Sequence, residues 1–498
     1  MIKRKKNIEK TFQKEVIREG PYKLPENWLW VSLSSSKKDK QSFGDGDWIL
    51  KKNIDNNGTI RLLQLSDIGR GKFLNKSSKF ISEDTFHELG CNEILPGDIL
   101  ISRMADPIAR SCIISDMNQK LITAVDVAYL RPNQKLFDKK YLNFLFNSSF
   151  FRAQAEKEAR GTTRLRITRK NLGNLPIPLP PINEQKRIVD RVERFMNKID
   201  EARHLIKEAK DSFELRRKSI LNKAFNGKLT EQWRKNNVQS TALEEIKQMH
   251  KDRMDAILSN KGRKPEYLKY DINEVVQEDN NLPETWVVAP VGFLCDSLVP
   301  GRTKPKSFTG SIPWVTIPDL VSDEIFSNQN GFLLTQDEID TVKAKVIPEN
   351  SVIMSCVGRF GISSVVKQPL VINQQLHAFL PSELILSRYL MYNIRHLDRY
   401  MHGIATSTTI SYLNKTNANS LPISVSPLEE QKVIVDTLDS IFEKLNEHEV
   451  KLNDIDKYLE NLEQSILTKA FKGELGTNDP KEESAIEMLK EAIQEQVN

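Results

Sequence analysis

Two mixed α/β globular blocks, joined by two long antiparallel coiled-coil helices and related by an internal pseudo-two-fold duplication, make the fold class this sequence predicts. The first observation is repetition. Leu175-Pro-Ile-Pro-Leu-Pro-Pro-Ile-Asn-Glu-Gln-Lys-Arg-Ile-Val-Asp190 returns as Leu421-Pro-Ile-Ser-Val-Ser-Pro-Leu-Glu-Glu-Gln-Lys-Val-Ile-Val-Asp436. At the same offset, Ser219-Ile-Leu-Asn-Lys-Ala-Phe-Asn-Gly-Lys-Leu229 returns as Ser465-Ile-Leu-Thr-Lys-Ala-Phe-Lys-Gly-Glu-Leu475. The spacing is far beyond the roughly 20–50 residues of a solenoid repeat, so the unit is a whole block followed by a helix. The second observation is heptad spacing inside the repeated part. The third is the pattern of short β-rich stretches, punctuated by Gly, Pro, Asn and Asp, inside the variable part.

Along the chain, residues 1–24 form a basic N-terminal segment, and Leu24-Pro-Glu-Asn-Trp28 opens the first block, 25–180. Within it Ile60–Leu65, Asp98–Ser102 and Ala124–Leu130 read as strands and Lys139–Arg160 as helix. Residues 181–227 form the first long helix. Its seam steps through Val192, Phe195, Ile199, Ala202, Ile206, Ala209, Phe213, Arg216 and Ile220. From Glu184 to Ala224 it would extend roughly 60 Å at 1.5 Å per residue. Residues 228–281 read as a repeated segment and charged linker. Leu282-Pro-Glu-Thr-Trp286 then opens the second block, 282–426, with Ser351–Met354 and Leu370–Phe379 as strands and Leu384–Met401 as helix. Residues 427–475 form the second long helix, with Leu438, Ile441, Leu445, Leu452, Ile455, Leu459, Leu462 and Ile466 on the seam and His448 at its remaining position. The tail, 476–498, is a shortened counterpart of the linker: Thr241-Ala-Leu-Glu-Glu-Ile-Lys247 loosely matches Ser484-Ala-Ile-Glu-Met-Leu-Lys490. Each helix begins after a proline (Pro181, Pro427) at Glu-Gln and stops at Phe-x-Gly, with Gly227 and Gly473 as the terminators. A seam of two positions in seven is not buried by one helix alone. Two copies in matched register are therefore expected to pack on each other.

Composition excludes several classes. No apolar run is long enough for a membrane span, and the lysine-rich start lacks a signal peptide's apolar region. The expected location is the cytoplasm of a prokaryote. Cys91, Cys112, Cys295 and Cys356 are scattered, which argues for reduced, buried thiols and against disulfides or a zinc site; no metal site is expected. No phosphate-cradling G-x-x-x-x-G-K-[ST] and no H-E-x-x-H occur. Phe43-Gly-Asp-Gly46 reads as a turn. An amino-methyltransferase would show [N/D]-P-P-[Y/F], and Asp106-Pro-Ile-Ala109 lacks the second proline and the aromatic. No catalytic residue is expected.

Residues suited to nucleic acid are present. Arg160-Gly-Thr-Thr-Arg-Leu-Arg-Ile-Thr-Arg-Lys170 sets cations among hydroxyls, fit for neutralising phosphates and fixing register. The candidates there are Arg160, Thr162, Thr163, Arg164 and Arg166. The equivalent stretch of the second half keeps hydroxyls, Thr408 and Thr409, but loses most charge. Side chains able to read base edges are Gln64, Arg103 and Arg110 in the first block and Arg302, Arg359, Gln374 and Gln375 in the second. Trp314 either supports that surface or fills the core. The net charge of +6 favours a polyanion only weakly.

The order Leu-Pro-x-x-Trp, variable block, Leu-Pro-Ile-Pro-Leu-Pro-Pro-Ile-x-Glu-Gln, long helix, Lys-Ala-Phe-x-Gly-Lys-Leu-Thr-Glu-Gln-Trp-Arg234, then the unit again, resembles the specificity subunit of type I restriction-modification systems. The likeness runs from about Leu24 to Leu475. Gly46-Asp-Trp-Ile49, Gln64-Leu-Ser-Asp-Ile-Gly69 and Pro96-Gly-Asp-Ile-Leu-Ile-Ser102 resemble one class of target recognition domain, and Ile312-Pro-Trp-Val-Thr-Ile-Pro-Asp319 another. The second helix entry and the C-terminus, which lacks Gln-Trp-Arg, depart mildly from the pattern. The resemblance implies that each block reads one half of an asymmetric, bipartite double-stranded DNA target. The coils would set the spacer and dock two methyltransferase subunits. This chain would bind no cofactor. S-adenosylmethionine would belong to the methyltransferase subunits, and ATP and Mg to the restriction/translocase subunits. Two heads about one helical turn apart, roughly 34 Å, would meet one face of the duplex. The alternatives are a coiled-coil scaffold without a DNA role and a fused methyltransferase-specificity enzyme.

Overall fold

The computed structural model describes residues 2–104, 107–162, 164–237, 240–260, 271–301, 303–406 and 411–497. The chain packs into two compact units, one made of Met1–Ile206 with Asn453–Asn498 and the other of Lys207–Leu452. The division does not follow the blocks. It passes through both long helices, so each unit contains one block and one end of each helix.

In the second unit, Ser297–Leu298, Leu376–Phe379, Val352–Ser355, Ser363–Val366 and Glu324–Ile325 form a five-stranded sheet in that order. A three-stranded sheet places Ile312–Val315 between Leu333–Leu334, antiparallel to it, and Val371–Ile372, parallel to it. In the first unit Phe43–Asp45, Val127–Leu130, Ile99–Ser102 and Ser111–Ile113 form a four-stranded sheet. There Ile60–Leu63 lies between Lys79–Ile81, antiparallel, and Leu121–Thr123, parallel. The central strands are buried along their whole length apart from half-buried Ile312. The blocks thus share one topology, and the second adds the strand Glu324–Ile325.

The same buried carboxylate organises both three-stranded sheets. Asp67 accepts backbone N–H bonds from Gln64 at 2.7 Å and from Lys76 and Ser77 at 2.8 Å. Asp319 accepts from the Thr316 N–H at 2.7 Å and the Gln329 N–H at 2.8 Å. A buried carboxylate needs such donors, and here they fix the turn that leaves the strand.

Details differ from the sequence expectations. Ala124–Leu130 is interrupted by a turn at 125–126, and Leu370–Phe379 by one at 374–375. The helix expected over Lys139–Arg160 is two, Lys139–Phe146 and Ser149–Glu158, because the Ser148 side chain caps the second by accepting from the Phe151 N–H. Leu384–Met401 likewise divides into Ser387–His396 and Asp398–Ile404. Phe43–Asp45 is a strand rather than a turn; Gly44 leaves room for the Tyr129 ring, which a Cβ would meet at 2.4 Å. The linker holds the helices Glu231–Asn236 and Ala242–Asn260. All four cysteines are buried free thiols, and burial pushes Cys112 and Cys356 up to about 12.

The long helices span Ile182–Phe225 and Leu428–Phe471, 44 residues each. They run antiparallel within each unit. In the first, Arg187 meets Glu482 beyond the end of the second helix and Arg203 meets Glu463 at 3.0 Å. In the second, Arg217 meets Glu449 at 3.0 Å, and Arg234 meets Glu430. The seam expectation needs adjustment. Val192, Ile199, Ile206, Phe213, Leu438, Leu445, Leu459 and Ile466 are buried, and Phe195, Ile220, Ile441, Leu452 and Leu462 are half-buried. Ile455 is 46% exposed, and Arg216 and His448 are exposed. Phe442, off the predicted seam, is buried against Tyr392 of its own block. In the second unit Phe213, Leu221 and Phe225 of one helix and Ile434, Leu438 and Phe442 of the other share one core with the block. The helices therefore serve two faces, partner helix and block, which a pure heptad seam does not describe.

Both helix ends are locked by repeated residues. Gly227 and Gly473 adopt φ +75° and +76°, where a side chain is strained. A Cβ at Gly227 would meet Pro283, and one at Gly473 would meet Pro25, so the Leu-Pro-Glu-x-Trp motifs seat on the Phe-x-Gly ends. At the helix starts, buried Gln185 and Gln431 accept the N–H of Asp138 at 2.8 Å and of Leu386 at 3.0 Å. Buried Glu430 accepts from Thr230 Oγ1 at 2.5 Å, from Trp286 Nε1 at 2.8 Å and from Arg234. Glu184 accepts from Thr477 Oγ1 at 2.6 Å and pairs with Arg187 at 2.7 Å. Burial pushes the Glu184 carboxyl up while Thr477 and Arg187 hold it down.

Two predictions follow from this packing. Glu430→Ala leaves Arg234, Thr230 and Trp286 without their acceptor. It is expected to destabilise the protein by about 3–5 kcal/mol, whereas Thr230→Val costs about 1 kcal/mol; urea unfolding measures both. His377 is buried, and burial pulls its imidazole down to about 4, opposed by the nearby Asn419 side chain and reinforced by the charge of Lys415. The unfolded chain, titrating near pH 6.5, then binds the extra proton. Stability from this residue is complete above about pH 6.5 and is lost towards pH 4 at up to about 1.4 kcal/mol per pH unit. Unfolding of His377→Gln across that window should show a shallower acid slope than the unaltered chain.

Candidate nucleic-acid interface

Each block carries an edge assembled from equivalent segments. In the first unit its centre is the Val125–Asp126 turn. On one side Ala124 donates its N–H to the Leu63 carbonyl at 3.0 Å, placing Gln64 beside the turn. On another, Gly46 donates to Val127 at 2.8 Å and Asp47 to Thr123 at 2.7 Å, so the loop carrying Trp48 leaves from the same place. On the third, Arg103 donates its N–H to the Asp126 carbonyl at 3.0 Å, and Ile167 donates to the Arg103 carbonyl at 2.9 Å. Arg160 and Arg166 exchange backbone bonds of 2.9 Å each, closing a tight hairpin with Thr162, Arg164 and Leu165 exposed at its tip.

Arginines there divide by burial. Arg103 is buried, pairs with Asp45 at 3.0 Å and donates to the Val125 carbonyl. Burial pulls its guanidinium below its usual range, opposed by Asp45 and reinforced by Arg166. Arg166 reaches Asp126 at 3.5 Å and the Val125 carbonyl at 3.2 Å, and Arg169 reaches Asp45 at 3.5 Å. Arg110 is half-buried, donates to the Leu65 carbonyl at 2.8 Å and supports the Gln64 segment. Arg160 is exposed, with Nη1 on the Lys157 and Ala159 carbonyls, and Arg164 is exposed. Buried Arg103 and half-buried Arg110 and Arg166 shape the edge; exposed Arg160 and Arg164 leave their charge at its surface.

The second unit repeats the scaffold with other side chains. Its central turn is Gln374–Gln375. Asn373 donates to the Val315 carbonyl at 3.0 Å, Cys356 to the Gln375 carbonyl at 2.8 Å, and Leu413 to the Cys356 carbonyl at 2.9 Å. Thr406 and Tyr412 exchange backbone bonds of 3.0 and 3.1 Å, as Arg160 and Arg166 do. Gln374 and Gln375 are exposed, and Gln374 Nε2 donates to the Gly301 carbonyl at 3.0 Å. Arg359 is exposed beside Gly358, whose N–H bonds to the Ser411 carbonyl at 2.9 Å. Trp314 is buried in the core. Thr163, Arg302, Thr408 and Thr409 lie outside the described residues.

The described sequence candidates within each block thus fall on one edge. The edge also carries residues not named as candidates from the sequence: Arg169, which lies within the basic stretch Arg160–Lys170, Trp48 with its neighbours Lys51 and Lys52, and Tyr412. Tyr412 stands where Arg166 stands in the other copy, and alignment of the two halves from the repeated helix entries would have located it. Among the described residues, no group of His, Cys, Asp and Glu is arranged to hold a metal ion.

Comparison with known proteins decides the family. The model of the type I restriction modification DNA specificity domain matches residues 41–211 and 283–456. The chain belongs to this family. Both matches begin in a block and end inside a long helix, so the DNA specificity domain is a block with part of its helical arm. The MjaVIII specificity subunit of Methanocaldococcus jannaschii is 26% identical over 44% of this chain and 49% of its own length. The EcoBI specificity subunit of Escherichia coli is 27% identical over 43% and 44%. The matched stretch thus spans about half of these two relatives. The EcoKI specificity subunit of Escherichia coli K12 is 21% identical over 91% of this chain and 90% of its own. A solved chain from a study of type I R-M system assembly shares the fold, with TM-score 0.63 and 22% identity over 91% of this chain and all of that one.

The division of the arginines makes a prediction. Arg103→Ala removes a buried partner of Asp45 and should cost about 1–3 kcal/mol in urea unfolding. Arg164→Ala should leave unfolding within about 0.5 kcal/mol and instead reduce the slope of log affinity for duplex DNA against log salt by about 0.9.

Proposed function

We propose that this chain is the DNA sequence-specificity subunit of a type I restriction-modification complex. One observation carries the proposal: two edges built on the same strands, turns and hairpin bear different side chains. A shared scaffold supplies the same docking geometry twice, while the change from arginines and Trp48 to glutamines, Arg359 and Tyr412 reads different base edges. The target is accordingly two-part and asymmetric, with the long helices setting its unread spacer.

The chain is non-catalytic in this reading. Methyl transfer belongs to two methyltransferase subunits that bind S-adenosylmethionine, and cleavage to restriction/translocase subunits that use ATP and Mg. No helix among the described residues is long and apolar enough to cross a membrane, which suits work on DNA in a prokaryotic cytoplasm.

The test is a methylation map. The chain is co-expressed with the methyltransferase subunit encoded beside it in a methylation-free host, whose DNA is then sequenced as single molecules. Methyladenine on opposite strands of a gapped, asymmetric motif is the expected result, and exchanging the second block should change one half-site only. A stable complex without methylation would remove the recognition role, and absence of any complex would favour the coiled-coil scaffold.

A further inference from the structure

Trp48 is 66% exposed, whereas Trp28, Trp30, Trp286 and Trp314 are buried and Trp233 is half-buried. An indole left in water forgoes the burial that usually dominates its energetics. The exposure is not that of a loose loop. On one side Asp47 is pinned by its N–H on the Thr123 carbonyl and by its carboxylate, which accepts the Asn92 N–H and Nδ2 at 3.0 Å each. On the other, Leu50 donates its N–H to Asn53 Oδ1 at 3.0 Å, closing the turn over Lys51–Asn53. Trp48 and Leu50, the latter 45% exposed, therefore stand on a braced loop.

The neighbourhood names the occupant. The loop is anchored on the Ala124–Val127 segment that also holds Arg103 and Arg166, and exposed Lys51 and Lys52 follow it. A rim of cations around an apolar tip suits a polyanion that also offers apolar surface, which is duplex DNA with its phosphates outside and its bases between. Arginines and lysines on this edge suit the phosphates. An indole has no charge to offer them and at most one N–H to donate, so its large apolar face gains chiefly against base faces, base edges or a thymine methyl.

We propose that Trp48 is a specificity-determining residue of the first block, seating its indole against the bases of one half-site while the surrounding cations hold the backbone. The proposal rests on the DNA-recognition reading and deepens it. In the second block the loop that leaves the equivalent strand, Ser297–Leu298, carries Phe308, whose ring packs against Trp314 and Phe332 instead of standing in solvent, so among the described residues of these two loops the exposed indole belongs to the first block.

The experiment uses the complex of this chain with its methyltransferase subunits and two duplexes, one carrying the mapped motif and one with the first half-site scrambled. Trp48→Ala is expected to weaken binding to the mapped duplex by about ten- to a hundredfold. It should leave the scrambled duplex and the salt slope unchanged, and Trp48→Phe should recover part of the loss. Acrylamide quenching of the unaltered complex should fall on binding the mapped duplex, because Trp48 is the most exposed tryptophan. Equal weakening on both duplexes, or none, would overturn the proposal while leaving DNA recognition intact. Loss of methyltransferase subunits from the Trp48→Ala complex would also overturn it, by assigning the indole to a protein interface. Failure of the unaltered complex to distinguish the duplexes would remove the recognition reading itself.

Discussion

Everything else in this structure depends on the buried Glu-Gln pair at the start of each long helix. The glutamine faces the block and accepts a backbone N–H from the segment entering a block helix, while its amide donates to the carbonyls of Leu136 and Pro180, or of Leu384 and Ser426. The glutamate faces the chain leaving the other long helix and holds Thr477 or Thr230. A buried carboxylate without donors is costly, so each pair demands that block, helix start and helix exit be assembled together. The clamp explains why the repeated sequence concentrates at the helix ends: those ends carry the polar contacts that fix the arrangement.

The segments outside the blocks and long helices make matching contacts in the two units. In one unit, the segment after the first long helix continues through Glu231–Asn236 and Ala242–Asn260 and reaches the second block within the same stretch of chain. In the other, the equivalent work falls to two separate pieces. Ala485 donates its N–H to the Asn27 carbonyl at 3.0 Å, as Ala242 does to Thr285 at 2.9 Å. Ile17 bonds to Trp30 as Gln277 bonds to Val288, each at 2.9 Å. The segment after the second long helix and the segment before the first block thus together make the contacts that the linker makes in the other unit.

Much of this was legible in the sequence, and what was not has physical causes. Helix limits could be read because Pro, Glu-Gln and Phe-x-Gly are local signals acting within one turn. The seam was read less well because Phe442 answers to Tyr392, a residue remote in sequence, and a heptad template weighs only the helix's own spacing. Strands broken at Val125–Asp126 and Gln374–Gln375 looked continuous because the turns carry no glycine or proline. Those turns are held by long-range backbone bonds, from Arg103 to Asp126 and from Cys356 to Gln375. Arg103 and Arg164 are equivalent as letters. Only the fold shows that one is committed to Asp45 and the other is exposed.

That distinction bears on how such an edge can change its target without losing its shape. Asp67 and Asp319 fix the same turn through backbone N–H groups, so it forms with different side chains beside it: Gln64 in one block, and in the other Thr316, which adds a bond from its Oγ1 to Asp319 at 2.7 Å. Arg160 and Arg166, and Thr406 and Tyr412, are likewise joined by main-chain bonds. Where geometry is held by backbone and a few buried ion pairs, exposed positions bear little of the folding energy and are free to vary. Among the described residues, exposed cations stand on both edges, Arg160, Arg164, Lys51 and Lys52 on the first and Arg359, Lys304 and Lys306 on the second. On the DNA-recognition proposal these would share the phosphates, and the edges would differ in what lies between the cations: an exposed indole on the first, and on the second the glutamine side chains of Gln374 and Gln375, whose contribution depends on hydrogen-bond geometry.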